Sequence, residues 1–367
     1  MKRFLKITIC TACVLVGFLL LFLFGLQVYK QILANTTKIK TPDGISSLEE
    51  ITLGGLKQWT FIRGENKRNP VLIFLHGGPG SPMGGMSSSR NFDAELIRHF
   101  TIVHWDQRGA GKSYHKSIPI ESMTFDRLVE DCNELIDYVR KKFNLEKVFI
   151  VGHSGGSIIG IKTVRKYPDK IHAYVGVAQI VNHHKQQKIS YDIVLKEAKK
   201  SGDVKIINAI KAVGPPPYDE PEKEMEKAKY IIQYGGFIRD NAIRQLAVVM
   251  MSFLTSPEYT LSEGIKTLFN KGLYFTMNAM WKEIRIIDFS QEIKSVQVPV
   301  YFFQGKYDMI KPTVLVEEFY DQLDAEKGKE FTVFENSAHV PMLEEKEKYV
   351  DLLINVVLKE NKGKGNL

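Results

Sequence analysis

A serine flanked by glycines, in the run Gly152-His153-Ser154-Gly155-Gly156, constrains the fold of this chain more than any other feature. The residues before it, 147–151, are a lysine followed by four apolar residues, most of them β-branched. This pattern predicts a buried parallel strand. Residues 157–164 after it predict a helix with a strongly apolar face. A serine at such a sharp strand-to-helix turn is lifted above the sheet, because only small residues fit around it. The alternative is an ordinary serine in a glycine-rich turn.

A serine that acts as a nucleophile needs a histidine base and a carboxylate that orients the base. With this turn the three follow along the chain in the order serine, acid, histidine. Asp308 comes after a predicted strand at 298–305, and His339 lies in the loop after the predicted last strand at 330–334. The carboxyl ends of strands are where open α/β sheets place their chemistry. We therefore predict that His339 takes the proton of Ser154 and that Asp308 fixes the imidazole.

Each assignment has a rival in the sequence. Asp308 has the alternative of a helix cap or turn carboxylate, and Glu335 is the competing acid. His339 has the alternative of a surface loop histidine. His153 is a second candidate base, but neighbouring residues around a sharp turn point apart, so it is poorly placed to reach Ser154. The other histidines precede the acid or lie away from a final strand.

A second glycine-rich loop, His76-Gly77-Gly78-Pro79-Gly80, follows a predicted strand at 70–75. Its backbone can turn N–H groups toward a developing oxyanion, and one such donor is typically worth about 3 kcal/mol of barrier. We expect the N–H of Gly78 to act together with that of Gly155. His76 is expected to hold the loop by hydrogen bonds rather than to react. No Lys-Ser/Thr pair follows, so a phosphate-binding loop is not indicated.

The run His76–Gly80, followed by Trp105-Asp106-Gln107-Arg108-Gly109-Ala110-Gly111-Lys112-Ser113, resembles the proline iminopeptidase branch of the α/β-hydrolase superfamily. The resemblance covers roughly residues 45–358 and is weakest in the middle third. It implies a Ser154, Asp308 and His339 triad, oxyanion donors at Gly78 and Gly155, and a loop beside the site that contains Asp106 and Arg108. On physical grounds we expect Arg108 to be a buried ion-pair centre that shapes this loop.

The sequence departs from that branch in two places. Its aminopeptidases usually carry Gly-Gly-Ser-Trp-Gly at the turn, where this chain has His153 and Gly155 in the variable positions. Members that remove N-terminal proline place cap glutamates against the substrate amine, and we align none of the acids in the cap of this chain with those positions. The acidic run 220–226 alternates with lysine, which is typical of a solvated helix start, with recognition of a substrate amine as the alternative.

Strands and helices alternate through most of the chain, which predicts an α/β fold with a mainly parallel sheet covered on both faces. A strand pair at 45–63 turns at Gly54-Gly55, further strands are predicted at about 71–75, 101–105, 147–151 and 172–177, and helices at about 91–99, 124–142 and 156–166. We divide the chain into a cytoplasmic tail (1–6), a transmembrane anchor (7–28), a linker (29–45), an α/β-hydrolase core (46–181 and 289–358), a helical cap over the serine (182–288) and a basic tail (359–367).

The uncharged apolar run at 7–28 is long enough to span a bilayer as a helix. Lys2, Arg3 and Lys6 precede it, which favours a cytoplasmic N-terminus and a catalytic domain outside the membrane. A cleaved signal peptide is the main rival. The apolar run is longer than that of a typical signal, and no small-x-small cleavage site follows it cleanly, so an uncleaved anchor in membrane lipid is favoured.

The net charge of +8 comes from the ends of the chain, because residues 1–40 hold six basic and no acidic residues and the last nine add a further +2. The neutral body has no basic face for nucleic acid. Three cysteines indicate no disulfide framework, no zinc-like spacing occurs, and we predict neither a metal nor a cofactor.

The sequence thus predicts a membrane-anchored serine hydrolase that acts on a small-molecule or short-peptide substrate through an acyl-enzyme. Proline aminopeptidase and carboxylesterase or lipase activities remain open. A non-catalytic binding protein on the same scaffold is the alternative from another class.

Overall fold

The first helix is far longer than the predicted span. The computed structural model describes residues 2–363. Helix α1 (Lys2–Thr36) has 35 residues, or about 50 Å at 1.5 Å per residue. It includes the predicted anchor at 7–28 and continues through the first half of the predicted linker. Within its segment Lys6–Thr36, an 18-residue window has a mean hydropathy of 2.8, so the helix is long and apolar enough to cross a membrane, as a signal sequence would also be. Met1 of the predicted tail lies outside the described residues.

The predicted strand pair follows α1 as an antiparallel hairpin of β1 (Ile45–Leu53) and β2 (Leu56–Gly64). Gly54 and Gly55 form its two-residue turn with φ of +53° and +76°, the left-handed region that glycine adopts without strain. Across the turn Leu53 pairs with Leu56, so the register follows directly from the turn length. The hairpin supplies the antiparallel edge of the main sheet.

Alternating strands and helices then build the centre of the sheet, as the apolar runs predict. In chain order they are β3 (Val71–Leu75), α2 (Ser87–Phe92), β4 (Thr101–Asp106), α3 (Phe125–Phe143), β5 (Val148–His153), α4 (Gly155–Lys166) and β6 (Ile171–Val177). Every residue of β3, β4, β5 and β6 is buried, because helices cover both faces of the sheet.

The bounds predicted for the helix at 91–99 are wrong. Helix α2 ends at Phe92, and only a 3-10 turn at Leu96–Arg98 follows. The reason lies at Asp93, whose buried carboxylate accepts a hydrogen bond from His104 on β4 at 2.7 Å. Asp93 is directed into the core and closes α2 with its own N–H, which donates to the carbonyl of Ser89.

Six helices form an insertion after β6 in the part of the chain that the structure describes. They are α5 (His183–Ser201), α6 (Val204–Val213), α7 (Pro221–Gln233), α8 (Ala242–Thr255), α9 (Leu261–Leu268) and α10 (Lys271–Ile284). Local sequence sets their ends: the side chains of Asn182 and Asp203 cap α5 and α6, and Thr260 with Glu263 forms a capping box on α9. The N–H of Phe289 donates to the carbonyl of Val181 at 2.7 Å, so the insertion leaves and re-enters the sheet at one point.

The chain then returns to the sheet and closes it. The last elements are α11 (Phe289–Glu292), β7 (Ser295–Val296), β8 (Val300–Gly305), α12 (Thr313–Gln322), β9 (Asp324–Ala325), β10 (Lys329–Phe334), α13 (Pro341–Glu344), α14 (Lys346–Asp351), a π-helical stretch at Leu352–Leu358 and α15 (Lys359–Gly363). Within the described residues the main sheet has the order β1-β2-β4-β3-β5-β6-β8-β10 and is parallel from β4 to β10. Residues 364–367 of the predicted basic tail lie outside the described range.

Candidate active site

Ser154 occupies the turn between β5 and α4 in a backbone conformation that L-residues rarely adopt. Its φ is +49° and its ψ is −119°, and its N–H donates to the carbonyl of Val177 at 2.9 Å. Gly156 makes the turn possible, because a Cβ at that position would lie 2.2 Å from the carbonyl oxygen of Leu75 on β3. The strain at Ser154 is typical of a functional residue that the surrounding structure holds in place.

Asp308 and His339, predicted from two distant strand ends, lie beside Ser154. The Oγ of Ser154 is 2.9 Å from Nε2 of His339, and Nδ1 of His339 is 2.8 Å from Oδ2 of Asp308. An ionised carboxylate only accepts hydrogen bonds, so Nδ1–H donates to Asp308 and Nε2 is left to accept from the serine hydroxyl. All three residues are buried. The hydrogen-bonded chain therefore has the polarity that general-base activation of a serine requires.

The position of Asp308 is fixed by the turn that follows β8. Its Oδ1 accepts from the N–H groups of Ile310 and Lys311, both at 2.8 Å, which leaves Oδ2 to face His339. The rival acid Glu335 lies at the surface, where it forms a 2.7 Å ion pair with Lys306. The structure therefore brings Asp308, and not Glu335, to the imidazole.

His153 is next to Ser154 in sequence but does not bond to it. Its Nε2 donates to the carbonyl oxygen of His339 at 3.0 Å. Burial, followed by the nearby His339, lowers the pKa of His153 to about 3, so the ring is neutral at physiological pH. Its contact supports the backbone of the loop that carries His339, whose own N–H donates to the carbonyl of Phe237 at 3.0 Å.

The two glycines predicted to bind an oxyanion lie against each other. A Cβ on Gly155 would be 2.6 Å from the carbonyl oxygen of Gly78, so the backbones of the two loops are in direct contact beside Ser154. Among the described residues, neither the N–H of Gly78 nor that of Gly155 has a hydrogen-bond acceptor. Gly155 is also the first residue of α4, where the helix leaves N–H groups free and its dipole favours negative charge.

His76 holds the glycine-rich loop by hydrogen bonds. Its Nε2 accepts from the backbone N–H of Gln107 at 3.2 Å, and its Nδ1 donates to the carbonyl of Gly77 at 2.9 Å. Burial lowers the pKa of His76 to about 4, so the neutral form that this pattern requires is the one present. Gln107 also donates to the carbonyl of His76, and this link ties the two sequence motifs together.

Asp106 joins its loop to the helical insertion. Its Oδ2 accepts from the N–H of Lys112 at 2.8 Å and from the hydroxyl of Tyr259 at 2.7 Å. Burial raises the pKa of Asp106 to about 7, against the opposing effect of these hydrogen bonds. Asp106 therefore does not pair with Arg108, its neighbour in the motif, and its partner Tyr259 was not evident from the sequence.

Arg108 is a buried ion-pair centre, and its partner is Asp131 on α3. Nε and Nη2 of Arg108 lie 2.8 and 3.1 Å from the two carboxylate oxygens of Asp131. Nη2 also donates to the carbonyl of Gly54 at 3.0 Å, which fixes the β1–β2 turn. The hydrogen bonds of Arg108 connect the loop, α3 and the hairpin, and none of these bonds is to Ser154 or His339. Sequence reasoning missed Asp131, because an acid in a helical pattern looks solvent-exposed.

A cavity of about 520 Å³ opens above Ser154 and His339. Its floor is formed by the loop after β3, which contains Gly77 and Gly78. Its walls are formed by α7, α8, α9 and α10 of the insertion. Most of the lining is apolar, and the apolar side chains are Pro82, Met83, Met86, Met225, Ala228, Ile232, Phe237, Ile238, Leu246, Val249, Met250, Phe253, Leu268, Leu273, Met277, Ile310, Val340, Met342 and Leu343. Such a site favours an apolar group next to the bond that is cleaved.

Charged side chains interrupt this apolar lining at Glu224, Lys266 and Lys311. Glu224 lies 3.2 Å from Nε2 of His183, and although burial opposes ionisation, His183 and two nearby lysines lower the pKa of Glu224 to about 2. Lys311 is buried, three residues beyond Asp308, and burial lowers its pKa against the attraction of Glu224 and Asp308. The exposed Glu222 and the Lys229-paired Glu226 do not line the cavity.

A sheet of this order, with a serine on the strand-to-helix turn after β5 and a helical insertion after β6, defines the class as an α/β-hydrolase. A family model described as alpha/beta hydrolase fold matches residues 70–202. The probable aminopeptidase YbaC of Bacillus subtilis is 32% identical over 314 residues, which cover 84% of this chain and 95% of that protein.

Two further comparisons agree with these. The proline iminopeptidase of Clostridium botulinum is 23% identical over 295 residues, covering 77% of this chain and 87% of that enzyme. The crystal structure of a proline iminopeptidase-related protein from Thermus thermophilus matches with a TM-score of 0.57 at 18% identity, covering 85% and 96% of the two chains. The chain belongs to the proline iminopeptidase-like family of α/β-hydrolases.

Proposed function

We propose that this chain is a membrane-anchored serine hydrolase that cleaves a small peptide or amide through an acyl-enzyme, in the manner of an aminopeptidase. The observation that carries the proposal is the hydrogen-bonded chain from Ser154 through His339 to Asp308 at the floor of an apolar cavity. The family supports hydrolysis of an amide, since its similar members are aminopeptidases and proline iminopeptidases by name.

The proposed reaction follows from this geometry. The Oγ of Ser154 attacks the substrate carbonyl carbon while Nε2 of His339 takes the hydroxyl proton, and the new imidazolium is stabilised by Asp308. The carbonyl oxygen becomes an oxyanion that accepts from the N–H groups of Gly78 and Gly155. His339 returns its proton to the leaving amine as the carbon–nitrogen bond breaks, which gives the acyl-enzyme. Water then attacks the acyl carbon by the same route and restores the serine hydroxyl.

Glu224 is the residue we propose for binding the free amine of a peptide substrate. It is the carboxylate among the described residues that line the cavity, and its lowered pKa keeps it ionised at physiological pH. An ammonium group in an apolar cavity needs such a partner, because a desolvated charge without one is unfavourable. The imidazole of His183, 3.2 Å away, pairs with the same carboxylate.

Turnover by the full-length chain in detergent tests the proposal. We expect cleavage of proline p-nitroanilide, compared with short- and medium-chain p-nitrophenyl esters, and no activity above background in Ser154→Ala. Glu224→Gln should raise KM for the amine-bearing anilide and leave KM for the esters unchanged. Glu222→Gln, two residues away and exposed, is the matched control. Equal KM values for the anilide in the parent chain and both glutamine variants would remove Glu224 from the proposal.

An esterase or lipase-type activity is the second candidate, and the apolar lining of the cavity favours it. Ester turnover without anilide turnover would assign the chain to this activity. A non-catalytic binding protein is distinguished by a fluorophosphonate probe. Labelling of the folded protein that is lost in Ser154→Ala supports the hydrolase, and absence of labelling supports the binder.

The membrane anchor is also part of the proposal. Lys2, Arg3 and Lys6 precede the apolar run, and this charge bias orients the N-terminus toward the cytoplasm. The intact mass of the protein extracted from the membrane fraction separates an anchor from a signal peptide. A mass that includes residues 7–28 supports the anchor, and a chain that begins after them contradicts it.

A further inference from the structure

Helix α8 carries large apolar side chains on its exposed outer face as well as on the face toward the cavity. Of its residues only Arg244 is charged. Leu246, Val249 and Phe253 face inward and line the cavity, whereas Ile243, 86% exposed, and Met251 face outward. A helix that is apolar all round is normally buried in a core or in a membrane. With 14 residues, α8 is too short to span a bilayer.

The neighbour of α8 is the proposed membrane anchor. Helix α8 packs against α1, and Lys30 of α1 donates to the carbonyl oxygen of Tyr259 at 2.8 Å, in the turn between α8 and α9. Leu26 and Leu33 of α1 are buried on the same side. Leu26 lies inside the apolar run at 7–28, so the globular body already touches α1 at the level where that run ends. If α1 spans a bilayer, α8 lies at the bilayer surface.

The second exposed apolar element is α9, next to α8. Leu261, Ile265 and the adjoining Phe269 are exposed large apolar side chains. Together with Ile243, Val248, Met250 and Met251 of α8 they form what we call the α8–α9 surface.

The charges around the α8–α9 surface are those that a lipid headgroup region attracts. Arg244, Lys266 and Lys271 are exposed and form no ion pair with any residue in the described range. Of the nearby carboxylates, Glu258 pairs with Arg90 and Glu263 pairs with Lys112 at 2.8 Å, whereas Asp240, just before α8, is exposed and forms no ion pair with a described residue. Unpaired basic residues around an apolar helix face are typical of helices that lie in a membrane interface.

We propose that the α8–α9 surface inserts into the headgroup and acyl boundary of the same bilayer that α1 spans, and that lipophilic substrates enter the cavity from that bilayer. The proposal rests on the anchored hydrolase of the preceding section. Met250 and Lys266 are exposed and also line the cavity, so the surface and the cavity are continuous between α8 and α9. The favoured substrate class is therefore an amide or ester whose acyl or amine part carries a long apolar group.

Tryptophan reporters in the full-length chain test the insertion without any need for turnover. Ile243→Trp and Met251→Trp place a reporter on the α8–α9 surface, and Ile286→Trp, 72% exposed after the end of α10, is the matched control. Val16→Trp reports on α1 itself. Each protein is reconstituted in phosphatidylcholine vesicles brominated in the middle of the acyl chains, and its fluorescence is compared with that in unbrominated vesicles.

We expect the reporters at 243 and 251 to lose about half of their fluorescence, because an interfacial helix buries its apolar face roughly 5–10 Å deep. The reporter at 286 should be unchanged. Quenching at 16 alone would overturn the insertion while leaving the anchor. No quenching at 16 would overturn both, since the insertion depends on the anchor.

Turnover in the same vesicles tests the entry of substrate. Ile243→Glu with Met251→Glu should lower hydrolysis of a long-chain p-nitrophenyl ester several-fold and leave that of the acetyl ester unchanged. Ile286→Glu is the control. Equal losses for both esters would contradict entry from the bilayer, whereas absence of hydrolysis by the parent chain would contradict the proposed function instead.

Discussion

Replacement of Arg108 by methionine tests whether the motif around it is a scaffold or a part of the chemistry. The substitution keeps the volume of the apolar stem and removes the guanidinium from Asp131, whose side chain is completely buried. Breaking a buried pair by removal of one partner costs about 3–5 kcal/mol, because the other charge remains in the interior. Gln58 and Arg127 still donate to Asp131, each at 2.9 Å, which favours the lower end of that range.

A loss of about 3 kcal/mol should lower the melting temperature by roughly 4 °C in a chain of this size, because the entropy of unfolding is about 2.1 cal/mol/K per residue. The assay is thermal unfolding of the full-length chain in detergent, followed by intrinsic fluorescence. Arg127→Met is the matched control, because Arg127 contacts the same Asp131 from a side chain that is 30% exposed, and such pairs are worth at most about 1 kcal/mol. The double variant Arg108→Met, Asp131→Leu should recover most of the loss, since both charges are then absent.

Two results would refute this reasoning. One is a double variant that melts as low as Arg108→Met alone, because the uncompensated charge of Asp131 is then not the cause of the loss. The other is a folded Arg108→Met protein whose kcat per active site falls strongly at a temperature well below its melting point. That outcome would move Arg108 from the scaffold to the reaction.

Three further predictions concern the site and its support. Asp308→Asn should lower kcat by about 10⁴-fold with little change in KM, since the amide favours the wrong imidazole tautomer; an unchanged pre-steady-state burst rate would contradict it. Asp106, with its pKa raised from 3.8 to about 7, holds a proton in the folded state that the unfolded chain releases, so stability should fall as pH rises through that window. The melting temperature should therefore change less with pH in Asp106→Asn than in the parent chain. An equal change with pH in both proteins would argue against this. Gly156→Ala should abolish activity or folding, because its Cβ would lie 2.2 Å from a backbone oxygen, whereas Gly17→Ala, with no atom within 4 Å of the new Cβ, should leave activity unchanged.

The parts of the site that sit at strand ends could be predicted from the sequence. Ser154, Asp308 and His339 each follow an apolar run that predicts a buried strand, and parallel strands place their carboxyl ends along one edge of the sheet. Once the strands are known, the place of each of these residues in the sequence therefore predicts its place at the edge of the sheet. Gly78 lies beside Gly155 because the strands that precede them, β3 and β5, are neighbours in the sheet.

The contacts between the insertion and the sheet could not be predicted in this way. Tyr259 reaches Asp106 across 153 positions of the chain, and no periodic pattern connects the two. The helix predicted at 91–99 failed for a similar reason, because the tertiary bond between Asp93 and His104 directs Asp93 into the core. Apolar residues at helical spacing predict that a segment is helical. The hydrogen-bond partner of a polar residue depends instead on how the helices pack in the folded protein.

Helix α7 shows where a closer interpretation of the sequence would have succeeded. Glu224 and Lys227 are three residues apart, and Ile231 follows four residues later, so the three share one face of the helix. Lys227 and Ile231 are buried, and Glu224 lines the cavity. The alternation of glutamate and lysine suggests a solvated helix, yet this face continues into apolar residues that must pack inward. Charged residues at inward positions violate the apolar pattern of a core, and such local violations are expected at functional sites. We therefore propose that the cavity side of α7 selects the substrate.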